Sequence, residues 1–171
     1  MKLHGAVTMN GRRYNAGAEV KWYAIYPFFL FHMGMFGLSG FFMAYAGQGV
    51  PLFFMYLHGG IAILVYTIFY LTIFGFDEVK WMFINAGLGV LGIYAQVDWL
   101  LSLFGRRIAD YPLSRHVTPF LYYTLYTFLL RHALLDLFGA RDDDGKKQKV
   151  ETSYIIGSVA LSALFRLLER K

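Results

Sequence analysis

The chain has 171 residues, 57% of them hydrophobic and 16% charged, with a formal charge of +5 and no cysteine. Soluble chains carry about a quarter charged residues, so this composition, at a mean hydropathy of +0.46, sets aside an ordinary soluble domain. The missing thiols exclude disulfides, thiolate metal sites and cysteine catalysis, and the basic residues flank apolar runs, where they suit anionic headgroups and not nucleic acid.

Residues 1–21 form a polar leader. Within it, Asn10-Gly11 stands between two short β-prone runs, a strong signal for a type I′ hairpin because both central positions need positive φ. An isolated hairpin is marginal in water, so this one is expected to rest on a membrane surface or on another loop. From Trp22 to Phe76 no Asp, Glu, Lys or Arg occurs, and Gly47-Gln48-Gly49-Val50-Pro51 splits the stretch in two. Each half is long enough to cross a ~30 Å hydrocarbon core at ~1.5 Å per residue. It also outlasts the core of about 7–15 residues in a cleavable signal. The spacing predicts helices over 22–46 and 51–75, with Gly34, Gly37, Gly40 and Ala44 forming a strip for close approach of a neighbouring helix.

A third helix is predicted over 81–104. Asn85, Gly89, Gly92 and Gln96 share one stripe, while Gly87, Tyr94, Asp98 and Ser102 lie nearly opposite, so the helix is expected at the centre with neighbours on both sides. A polar connection carrying Arg106, Arg107 and Arg115 leads to a fourth helix over 117–138. Residues 139–151 read as a charged loop. In the last segment, 152–171, only Thr152 to Phe165 is free of charge, which is short for a span. Glu151, Ser158, Ser162, Arg166 and Glu169 share a stripe, so the segment reads as an amphipathic helix on the interface or as a partly inserted one.

The fold class is therefore an all-α integral membrane protein, a four-helix transmembrane bundle (22–138) with a β-hairpin leader and five spans as the alternative. Loop charges orient it. With the N-terminus in the cytoplasm, Lys2, Arg12, Arg13, Lys21, Lys80, Arg141, Lys146, Lys147 and Lys149 fall inside, and Arg106, Arg107 and Arg115 fall outside. Four spans place both termini on the inner side of a plasma (inner) membrane.

Ionisable groups at depth are functional candidates because each needs a partner in lipid. Counting ~1.5 Å per residue from the outer surface puts His32 at roughly 21 Å and His132 at roughly 22 Å, against ~10 Å for His58 and ~9 Å for Asp98. Two histidines at one depth suggest a b-type haem held by His32 and His132, with Arg131 on a propionate and the glycines beside His32 making room. This layout resembles that of small four-helix b-type cytochromes, although no stretch of the sequence matches that family. Asp136, four residues after His132, is placed to orient its imidazole. His58 and Asp98 read as a buried polar pair, either a structural buttress or a proton or ion pathway.

The plainer reading of Arg131 and Asp136 is that they snorkel to the inner headgroups. A zinc or iron site from His32, His132 and Asp136 has the right donors but no motif spacing. Catalytic motifs are absent from the sequence, and Thr124 and Thr127 are expected to bond their own backbone. The leading expectation is a non-enzymatic subunit or accessory factor packed against a membrane partner or a second copy. The rivals are the haem electron carrier and the His58–Asp98 pathway.

Overall fold

The computed structural model of the chain describes residues 1–9, 11–46 and 50–169. The predicted break at 47–49, Asn10 of the predicted turn, and the terminal Arg170 and Lys171 lie outside the described residues. Val7–Met9 (β1) pairs antiparallel with Arg12–Tyr14 (β2), with Met9 opposite Arg12. Gly11 has the positive φ, 71°, that the turn needs. A 3-10 turn, Trp22–Ala24, leads into α1 (Tyr26–Tyr45). There follow α2 (Leu52–Phe74), the single turn α3 (Phe76–Val79), α4 (Trp81–Ser102), α5 (Leu113–Leu137) and α6 (Asp144–Glu169).

Four helical stretches are long and apolar enough to cross a membrane: Tyr26–Tyr45, Leu52–Phe74, Phe76–Ser102 and Asp144–Leu168. This alters the expected set. The last segment is a full-length helix, and α5, rich in polar residues, is not among the four. Instead α5 lies at the centre, against α1, α2, α4 and α6. The central place expected for the third predicted helix thus goes to the fourth, because its neighbours cover its polar side chains. Three glycines carry it there, of which Gly40 belongs to the expected strip and Gly59 was not foreseen. A Cβ on Gly40 would stand 2.7 Å from the Tyr122 ring, one on Gly59 2.5 Å from Thr118, and one on Gly92 2.6 Å from the Tyr123 hydroxyl. Three helices therefore approach α5 closer than any side chain allows.

The expected charged loop at 139–151 is also corrected. Asp143 accepts the Lys146 N–H at 3.0 Å, satisfying a first-turn amide and starting α6 within that stretch. The α6 helix then follows α4 in parallel. Lys147 meets Glu78, Tyr154 bonds Asn85 at 2.8 Å, and Phe165 lies 4.9 Å from Trp99. Its polar residues Ser158 and Ser162 turn inward while Ile156, Leu161, Leu164 and Leu167 are exposed. A helix lying on an interface would expose its polar face, so the surface-helix reading is overturned. The end of α6 stands at the Trp99 end of the bundle, opposite the N-terminal leader. The leader and the described end of α6 thus lie at opposite ends of the bundle, contrary to the four-span expectation.

The leader is part of the fold and not a separate surface piece. Gly5 N–H donates to Thr72 O at 2.7 Å and His4 N–H to Ile73 O at 3.3 Å, so the leader satisfies carbonyls left open at the end of α2. Leu3, Val7, Met9 and Val20 join Ile25, Phe29, Tyr70 and Phe128 in one core cluster.

Candidate functional site

The end of the bundle beneath the leader holds a network of charges built from four segments. Arg131 on α5 is fully buried, with its guanidinium 4.0 Å over the Trp81 ring. One nitrogen donates to Glu78 at 2.9 Å and the other to Glu151 of α6. Lys147 adds a second contact to Glu78 at 3.0 Å. A fork with donors in fixed directions can join two carboxylates on different helices, which an ammonium cannot do as well. Arg131 therefore does not snorkel: two carboxylates meet its charge inside the protein, although its Nε has no partner among the described residues.

A second cluster adjoins the first. The Arg141 fork holds both oxygens of Asp136, at 2.7 and 2.8 Å, and Tyr26 of α1 donates to the same carboxylate. Burial opposes the Arg141 charge, but the bonds from Asp136 win, and the guanidinium holds its proton more tightly than usual. Asp136 does not touch His132 as expected; it acts through Arg141, whose Nη2 lies 3.2 Å from His132 Nδ1. On the other side of the ring, Arg131 lies 3.2 Å from Nε2. A neutral imidazole has one lone pair, so only one of these guanidinium groups can donate to it. The ring is stacked on Phe74 at 4.1 Å and wedged by Phe128 at 4.6 Å.

A polar cavity of about 550 Å³ opens beside this network, lined by Met1, Lys2, Glu19, Glu78, Asp136 and Arg141 among others. Comparison with family models, curated proteins and solved structures finds no significant match to this chain. The chemistry must therefore be read from the geometry. Three carboxylates (Glu78, Asp136, Glu151) face three cations (Arg131, Arg141, Lys147), each already bonded, which is the arrangement of a clamp.

The predicted pairs do not form. His132 is enclosed in the core, while His32 is half-buried between α1 and α2, in a different cavity of about 510 Å³. The haem clamp from His32 and His132, with Arg131 on a propionate, loses its geometry, because Phe74, Phe128 and two guanidinium groups occupy the space around the His132 ring. His58 lines the same cavity as His32, whereas Asp98, at a similar level on α4, accepts the Ile108 N–H at 2.5 Å from the connection that follows α4. Equal depth on paper gave no common direction. Among the described residues no group of three His, Cys, Asp or Glu side chains converges as a metal site, so His32, His132 and Asp136 do not form one. Thr124 and Thr127 bond Phe120 O and Tyr123 O of their own helix at 3.0 and 2.9 Å, as expected.

Sequence reasoning missed the partners of the network, Glu78, Tyr26, Arg141 and Glu151, and also His116. Glu151 reads both as the end of a charged loop and as the start of the last polar stripe, and no period links it to Arg131. His116, bonded to Tyr45 at 2.8 Å, ties the other end of α1 to α5. Its only signal was a lone histidine beside a helix start.

Proposed function

We propose that the protein is a multi-pass protein of the plasma (inner) membrane, with its N-terminus in the cytoplasm. In this reading it serves as a non-enzymatic subunit that packs against a larger membrane protein. The observation that carries the reading is the inversion of polarity. Arg131, His132 and Asn85 are completely buried, while Phe53 is 70% and Phe83 82% exposed. Exposed apolar surface on this scale is costly in water and natural in lipid. The inner loops retain the basic excess when α6 is counted as a span: Arg166, Arg170 and Lys171 join Arg106, Arg107 and Arg115 outside, against the nine Lys and Arg residues inside.

The subunit reading draws on α1. Gly40 is filled by Tyr122, but a Cβ on Gly34 or Gly37 would meet nothing within 4 Å. Both line a groove of about 420 Å³ whose far wall is Ile93, Gln96 and Val97 of α4. A glycine pair facing a groove suits a helix from another chain. A photo-crosslinking residue at Leu38, in protein expressed in its native membrane, should give one defined adduct, and Gly37→Phe should abolish it. Adducts to lipid alone would end this reading.

A further inference from the structure

The cavity between α1 and α2 has a chemistry that the subunit reading does not use. Both helices lean on α5 and touch each other only sparsely, which leaves the space of about 510 Å³ open at the side of the bundle and covered in part by Thr8 and Met9 of β1. Aromatic rings form its walls: Phe36 lies 5.7 Å from Tyr66, and Phe29 6.1 Å from the same ring. Into these walls are set two imidazoles, from His32 and His58.

The two are placed for use. His32 Nδ1 lies 2.8 Å from Phe28 O, one turn back on its own helix. A carbonyl only accepts, so Nδ1 carries the proton and Nε2 keeps its lone pair. His58 packs on Phe36 at 5.6 Å, one helical turn above His32, and is itself exposed. An imidazole left unpaired in hydrocarbon is costly, and an acyl chain gives it no partner. A metal needs more ligands than this pair supplies. What fits is a flat apolar ring with a hydroxyl to offer.

We propose that this cavity binds a membrane-soluble aromatic alcohol of the quinol class, with its ring among Phe28, Phe36 and Tyr66 and a hydroxyl donating to His32 Nε2. A second hydroxyl, across the ring, bonds His58. The reduced form is preferred, because the carbonyl of the corresponding quinone cannot donate to the His32 lone pair. No electron transfer is part of the proposal.

The test uses the full chain, purified and placed in nanodiscs of synthetic lipid, so no partner protein is involved. A decyl-tailed benzoquinol, kept reduced under argon, and its quinone are titrated separately by calorimetry. Saturable binding of one quinol per chain is expected, tighter than that of the quinone. His32→Leu and His58→Leu should each weaken it by about tenfold, the loss of one desolvated hydrogen bond, while His32→Gln, which retains an acceptor, should stay within about threefold. Gel-filtration profiles matching the parent show that each variant is folded. His32 bonds only its own helix, and His32→Gln and His58→Leu still decide the matter if His32→Leu does not fold. Non-saturable partitioning, tighter quinone binding, equal binding by every variant, or a co-purifying haem spectrum would overturn the proposal.

Discussion

Arg131 carries the largest single-residue consequence. Removing it leaves Glu151 without its cation and Glu78 with Lys147 alone in a mostly buried space, and breaking a buried ion pair in this way costs about 3–5 kcal/mol. Thermal unfolding in detergent should show that loss for Arg131→Leu, with only partial recovery for Arg131→Lys. The double variant Arg131→Met, Glu151→Gln should be more stable than Arg131→Leu alone, because Glu78 keeps Lys147 and no carboxylate is then left without a cation. If the single variant is as stable as the parent, the clamp is not structural. At this scale the sequence indicated which residues need partners but not which partners they find. Depth along a helix follows from counting residues, and it placed His32 and His132 level. The direction a side chain faces depends on the neighbouring helix, and that is why His132 met Phe74 and Arg141 while His32 met Phe28.

Among the elements, adjacent glycines on α2 separate packing from propensity. A methyl group at Gly59 would stand 2.5 Å from Thr118 Cγ2 and 3.3 Å from its Cβ, and a short branched side chain cannot swing clear. Gly59→Ala should destabilise the bundle by about 1–3 kcal/mol, the usual cost of overpacking. Gly60→Ala, with open space around it, should be neutral or slightly stabilising through helix propensity. Equal melting temperatures for the two would refute the close approach of α2 to α5. The first three long helices were legible because unbroken apolarity is a strong signal. The last was not, because hydrocarbon-length counting stopped at the charges on either side of Thr152 to Phe165. Lys147 and Glu151, however, face protein partners, and so the helix can begin within the charged stretch. An amphipathic stripe also has two meanings: it marks a helix half in water, or one half against a polar protein core. Only the position of α4 distinguishes them.

For the whole molecule, the parallel course of α4 and α6 sets the leader and the end of α6 at opposite ends of the bundle. A chain without cysteine suits single-cysteine labelling. With intact cells, a membrane-impermeant maleimide should reach Leu168→Cys from outside and should reach Lys2→Cys only after permeabilisation. Labelling of both from one side would return the protein to four spans. The bundle as a class was legible from composition alone, whereas the arrangement around α5 was not, because the polar residues of the most enclosed helix gave no sign of which neighbours cover them. The order of synthesis gives the clamp a further meaning. Glu151 emerges from the ribosome after every other member of the network, so Arg131 waits with one of its two carboxylates missing until α6 is made. A product truncated before α6 would hold one undercompensated guanidinium among its helices, a cost that the complete bundle does not carry.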